Sequence, residues 1–441
     1  MLKKINFVII AILVCFLRGN DFEKELLIKS SVLQNGNNKE LSVKHSSAFD
    51  DSSPLQNQLK ILVMEGGAVR AIIQKIILHW LKLNTGKEPY QLFDLIVGSS
   101  AGAGVTIQLA ASTPEGKIRH YIDELVANHI NDAKAGFTNP SFLRNLQTGF
   151  GLWNTKYSAH CIFELSKKSV GECKLSETLV PIVIPVIDRA TNKIRILSTR
   201  KAKESPETED FYLRDLGTAA LVFPALFNPW RMKSPIIREG QPENHLTASD
   251  AGPIIYNPGA IALKEAYEMQ KQKILSNPLL TTEEKINKIK VIQKPKMLDV
   301  GSGIPKKWVE SKTSDSTKEF RVPNSGILQN IKMIISQMFQ GLGINAQDGV
   351  EAFFTGDDQQ NNYTRLQVLL TKEEDGTYPF VLDDTRPEVI NALINQTIIF
   401  TKTTEFLTGI RKIFGSELKA TITHLKKEDF LLKTKPLRAL L

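Results

Sequence analysis

Twice between residues 60 and 111 a short apolar run ends in a glycine-containing turn and gives way to an apolar helical stretch. Lys60–Met64, the Gly66-Gly67 turn and Val69–Leu83 make the first unit; Phe93–Val97, Gly98–Gly102 and Ala103–Ala111 make the second. Strands joined through helices run parallel, because a tight hairpin can only reverse the chain. The pattern predicts an α/β fold with a mostly parallel central sheet and helical insertions. Further strands are expected at Val180–Ile187, Lys193–Leu197, Lys296–Val300 and Thr364–Leu370. Helices are expected at Leu213–Val222, Ile327–Met338 and Pro387–Phe400, and no repeat of fixed period is visible.

Composition narrows the class further. At 441 residues, 42% hydrophobic and 23% charged, the chain can bury a large core, which excludes a disordered protein. Three cysteines exclude a disulfide framework. The net charge of +9 is a mild preference for anionic surfaces, with no motif that implies nucleic acid as a partner.

Lys3 and Lys4 precede an apolar run, Ile5–Leu17, that Arg18 closes. The run is short of the roughly 20 residues a membrane span needs but suits a secretory signal. Residues 1–20 are therefore expected to be a signal peptide, against a short retained anchor or a buried helix, which implies export. Residues 21–58 read as a polar linker or pro-segment, 59–413 as the folded domain and 414–441 as a basic, leucine-rich tail. That tail suits an anionic bilayer or packs its leucines on the domain. Lys264–Lys296 carries eight Lys against four Glu and reads as a solvated helical insertion. Cys161 and Cys173 fit one disulfide or two plain thiols.

Three elements carry chemistry. Gly98-Ser99-Ser100-Ala101-Gly102 follows a buried strand and opens a helix, as a nucleophile elbow requires. Its glycines let strand and helix backbones meet, and Ser100 is held at the tip near the helix's positive end. The alternative is a helix-capping serine. Glu65-Gly66-Gly67-Ala68-Val69-Arg70 offers amides that suit a tetrahedral oxyanion. A dinucleotide loop is rejected, because alanines stand at two of the glycine positions it needs. Asp250 lies in Thr247–Pro253, either as a turn residue or as a base for Ser100. Of seven histidines only His424 follows Asp250, so a Ser-Asp-His triad in hydrolase order is poorly supported. No metal-ligand spacing is present, and no cofactor is implied.

Together these elements resemble the patatin-like phospholipases, whose pattern combines a D-G-G-G-x-R-G loop, G-x-S-x-G and a D-G-G/A turn. Glu65–Ala71, Gly98–Gly102 and Asp250–Gly252 match in that order, and Asn257-Pro258 matches the family's Asn-Pro. Thr218–Pro224, Leu298–Gly303 and Asn362–Gln367 are similar to three further family segments, so the resemblance covers roughly residues 59–410. It implies a three-layer α/β/α fold and a phospholipase A type acyl hydrolase working through a Ser-Asp dyad and an acyl-enzyme. It also implies Ser100 as nucleophile, Asp250 as proton acceptor and Gly66, Gly67 and Ala68 as the oxyanion hole. Arg70, Gly98, Gly102 and Gly252 would support the motifs. The implied partners are a phospholipid or other acyl-ester lipid and a membrane surface; the oligomeric state is not implied. Ala68, Ala71 and Ala251 depart from the family's glycines. Alanine keeps the amide but does not take the positive φ open to glycine, which puts the loop's shape in question. Two rivals stand beside this reading: another serine esterase or thioesterase completed by His424, and an inactive patatin fold that binds membranes.

Overall fold

The first strand, β1 (Lys60–Met64), is apolar on both faces, as a strand covered by helices on both sides must be. The structure, a computed structural model, describes residues 58–136, 155, 157–224, 226–235, 244–306, 346–354, 362–373, 379, 383–426 and 430. The expected leader (1–20), nearly all of the polar linker (21–58), the helix Ile327–Met338 and tail residues 427–429 and 431–441 lie outside them.

After β1 come α1 (Ala71–Thr85), β2 (Leu95–Gly98), α2 (Ala101–Ala110), α3 (Ile122–Gly136) and α4 (Ala159–Val170). The middle of the chain adds β3 (Ile182–Asp188), β4 (Lys193–Ser198), α5 (Leu213–Leu221), β5 (Trp230–Lys233) and β6 (His245–Asp250). Then follow α6 (Gly259–Leu275), α7 (Thr282–Lys290), β7 (Lys296–Val300), β8 (Ile304–Pro305), β9 (Tyr363–Leu366), β10 (Leu369–Leu370), α8 (Pro387–Phe400) and α9 (Thr404–Phe414). Eight strands form the main sheet in the order β5-β6-β3-β2-β1-β7-β9, with β4 also on β3. β3, β2, β1, β7 and β9 are parallel; β4 and β6 run antiparallel to β3, and β5 antiparallel to β6.

Alternate side chains of the strands enter two separate cores. Leu62, Met64 and Ile96 pack with α1 (Ile72, Ile76, Trp80) and α9 (Phe406, Ile410). Ile61, Val63, Leu95 and Val97 face the other way, onto Ile261, Ala262 and Ala266 of α6 and onto Val350 and Phe354. This is an α/β/α sandwich. Each fully buried Ile or Leu contributes about 1.5–3 kcal/mol. Among the described residues no helix is long and apolar enough to cross a membrane.

The stretch expected as one strand, Thr364–Leu370, is two. β7 ends in a turn at Gly301-Ser302-Gly303, Gly303 at φ 85°, and re-forms as β8; the facing chain divides with it into β9 and β10. The lysine-rich insertion is helical, but only partly solvated: the first half of α6 is core, while α7 has no buried residue. The start of the tail packs on the domain, with Leu425 and Phe430 buried and the Lys419 and Thr423 amides donating to Asn84 at the end of α1. Glu417 pairs there with Lys60. Cys161 and Cys173 are free thiols, the first exposed and the second buried.

Candidate active site

In a mostly parallel sheet the loops after the parallel strands' carboxyl ends gather at one rim; those after β1 and β2 carry two of the motifs there, and antiparallel β6 brings the third to them. β2 ends at Gly98, and Ser100 follows at φ 52°, ψ −125°, a sparsely populated conformation for a residue with a side chain. The two glycines of the elbow are sterically required. A Cβ on Gly98 would stand 2.3 Å from the Gly102 carbonyl oxygen, and one on Gly102 2.4 Å from that of Met64. Ser99 is fully buried, its amide donating to Met64 (3.1 Å) and its hydroxyl to the Ile255 carbonyl. Ser100 is partly exposed.

β3 brings Asp250 to this serine. Val97 of β2 pairs with Val183, while Asp250 at the end of β6 pairs with Val186, three residues further along the same strand. The Ser100 hydroxyl donates to Asp250 Oδ2 at 2.6 Å, and the Gly252 amide donates to Oδ1 at 2.7 Å. Asp250 is wholly buried, and burial raises its pKa to about 7 against the lowering effect of those two bonds. A carboxylate poised near neutrality is a far better proton acceptor than an ordinary aspartate. Gly252 must stay a glycine, since its Cβ would lie 2.9 Å from that of Ser100. Ala251 lies outside the positive-φ positions, so its departure from glycine costs the backbone nothing.

The loop after β1 lies against the serine, where a Cβ on Gly66 would be 3.1 Å from that of Ser100. Of the three residues expected as the oxyanion hole, Gly66 commits its amide to the Tyr256 carbonyl at 3.1 Å. The Gly67 and Ala68 amides have no partner among the described residues, and the positive end of α2 lies beside Ser100. Ala68 does take a left-handed backbone, φ 49°, contrary to the expectation drawn from its side chain. Ala71 sits at φ −58° in ordinary helical geometry. Gly67 is forced by Ser302, whose Oγ would stand 2.2 Å from an added Cβ. Arg70 is a buried brace rather than a surface charge: it donates to the Gly67 carbonyl (3.4 Å), the Gly303 carbonyl (2.8 Å) and the Tyr256 hydroxyl (3.4 Å).

A buried ionic cluster beneath this loop has no counterpart in the sequence reading. Glu65 and Asp299, both fully buried, accept from the same Asn257 Nδ2 at 3.0 and 2.7 Å. Arg365 pairs with Glu65, and the Tyr363 hydroxyl donates to Asp299. The available signal was Asp299, a carboxylate among the apolar residues Met297, Leu298 and Val300.

None of the described histidines bonds to either member of the pair. His129 lies under the loop, donating to the Val69 carbonyl at 2.8 Å; burial and the Lys75 charge push its pKa down to about 3, so it stays neutral. His424 follows Thr423, which is tied to Asn84. Asn84 lies thirteen residues along α1 from Ala71, about 20 Å from the loop. The triad through His424 is not formed.

The site is thus a mostly parallel α/β sandwich whose elbow serine bonds straight to a buried aspartate, with no described histidine bonded to either. Residues 62–258 match the family model described as "Patatin-like phospholipase". The chain is 28% identical over 226 residues to Patatin-like protein 2 of Arabidopsis thaliana, covering 48% of this chain and 55% of that protein's length. It is 22% identical over 330 residues to Patatin group A-2 of Solanum tuberosum, covering 73% of this chain and 78% of the relative. VipD from Legionella pneumophila matches at 12% identity and a TM-score of 0.23, over 58% of this chain and 52% of that one.

Proposed function

We propose that the protein hydrolyses acyl esters of lipids, of the phospholipase A type, through Ser100 and Asp250. The observation that carries this reading is the direct 2.6 Å hydrogen bond from the Ser100 hydroxyl to a carboxylate whose pKa lies near 7. Ser100 Oγ attacks the ester carbonyl carbon while Asp250 takes its proton. The Gly67 and Ala68 amides receive the oxyanion, and the alcohol leaves with the proton. Water then cleaves the acyl-enzyme, again with Asp250 as base. The match of residues 62–258 to the patatin-like phospholipase model supports a lipid acyl ester as the substrate.

A fluorophosphonate probe tests the nucleophile. Ser100 is labelled in the native chain, and Ser100→Ala abolishes both labelling and release of fatty acid from mixed phospholipid vesicles, read by mass spectrometry. Labelling that persists in Ser100→Ala refutes the assignment. The basic-then-apolar N-terminus supports export, checked by N-terminal sequencing of protein recovered from outside the cell.

A further inference from the structure

The cluster beneath the oxyanion loop has an imbalance of charge. Two carboxylates, Glu65 and Asp299, are fully buried with one guanidinium, Arg365, beside them. Each carboxylate also keeps an oxygen with no partner: Glu65 Oε2 and Asp299 Oδ1. With both ionised, the site would hold an uncompensated buried negative charge and two orphan acceptors, which is a costly arrangement. A single proton removes the excess negative charge.

The cluster also joins the two halves of the candidate site. Glu65 opens the loop that carries Gly67 and Ala68. Asn257 closes the turn that begins at Asp250, and in that turn the Ile255 carbonyl holds Ser99 and the Tyr256 carbonyl holds Gly66. The Asn257 amide bridges Glu65 and Asp299, and its own Oδ1 accepts from the Gly259 amide at 2.8 Å.

We propose that Asp299 is a positioning residue that carries a proton in the working protein, so that the Asp299–Glu65 pair, neutral together with Arg365 and clamped by Asn257, keeps the oxyanion loop and the Asp250 turn together. Burial, then the Glu65 charge, hold the Asp299 carboxyl well above the ordinary carboxylate range, with Arg365 and the Asn257 and Tyr363 bonds opposing. The groups facing the pair are Arg365 and Tyr363 from β9 and Tyr256 from the turn; Arg70 bears on it through Tyr256. Loss of the proton at high pH sets two negative charges on one amide and loosens the clamp.

The inference rests on the Ser100–Asp250 reading for its kinetic consequence, but not for the proton itself, and two measurements on the full chain separate them. Hydrolysis of a soluble short-chain ester from pH 5 to 9 should be bell-shaped: rising as Asp250 ionises, falling as Asp299 does. Asp299→Asn should keep the rising limb and lose the falling one, and Asp299→Ser serves if the first variant does not fold. The second measurement needs no activity. In a Ser100→Ala, Asp250→Asn background, an acid that titrates higher in the folded state makes the unfolding constant rise by up to tenfold per pH unit. The denaturant-derived constant should therefore climb between pH 5 and 7, and Asp299→Asn should remove about that tenfold-per-unit climb. A climb without esterase activity in the native chain supports the pair and retires the proposed function. A flat background profile, or one that Asp299→Asn leaves unchanged, overturns the proposal whatever the activity.

Discussion

Replacing Asp250 by asparagine should destroy activity and at the same time stabilise the protein, by an amount that depends on pH. The Asp250 carboxyl moves from 3.8 to about 7 on folding, so the folded chain holds its proton roughly 4 kcal/mol more tightly than the unfolded chain. The sign follows from which state binds the proton. Below pH 4 both states are protonated and the burial cost is absent. As pH rises towards 7 the unfolded chain releases the proton first, and stability is lost. The Asp250→Asn variant has no proton to lose and so carries no such penalty. Its side-chain oxygen can keep the Gly252 amide, and its amide nitrogen can donate to the Ser100 hydroxyl, because each native oxygen has one of these partners. Urea unfolding of both proteins at pH 5 and pH 8, extrapolated to water, measures the gap. The variant should gain on the native chain by about 2–3 kcal/mol more at pH 8 than at pH 5, since every other titrating group cancels in the comparison. An equal gap at the two pH values, or a variant less stable at pH 8, would refute the burial argument and with it the poised base.

Ala68→Gly relieves a left-handed alanine worth about 1–2 kcal/mol, less up to about 1 kcal/mol of glycine's extra freedom in the unfolded chain. Ala71→Gly, in helical geometry, should lose about 1 kcal/mol. Thermal unfolding should therefore move in opposite directions for the two variants, and a shift in the same direction would contradict the loop geometry. Truncation after Glu417 removes the fully buried Leu425 and strips Asn84 of two partners, so the melting temperature should fall, with at least about 2–5 kcal/mol lost. An unchanged melting temperature would return the whole tail to solvent.

The parts of the fold that stood out in the sequence are those where a local pattern and the tertiary environment agree. Lys60–Met64, Lys296–Val300 and Pro387–Phe400 begin and end where their apolar runs do. The elbow is legible for the same reason: Gly98 and Gly102 answer a steric demand within five residues of chain. β5 and β8 went unread, since strands of four and two residues are made by their neighbours rather than by their own composition. Of the site, Ser100 and Asp250 were visible through turn chemistry, but Gly66 looks like an oxyanion donor until Tyr256, 190 residues away, takes its amide. Glu65, Asp299 and Arg365 carry no local mark of their meeting; only the register β1-β7-β9, with Val63 beside Asp299 and Asp299 beside Arg365, brings them together. Arg70 was legible as support for its motif, but its partners, Gly303 and Tyr256, are distant in sequence and visible only in the fold.

The position of Asp250 on β3 has a practical corollary. Side chains alternate across a strand, so a slip of one residue between β6 and β3 would turn the carboxylate to the opposite face of the sheet and leave Ser100 an ordinary alcohol. On the proposed function, covalent labelling of this serine would also be a census of correctly threaded molecules. In a refolded or heat-stressed preparation, the labelled fraction would count chains whose antiparallel and parallel halves have locked in step, a distinction that helix content or compactness alone would miss.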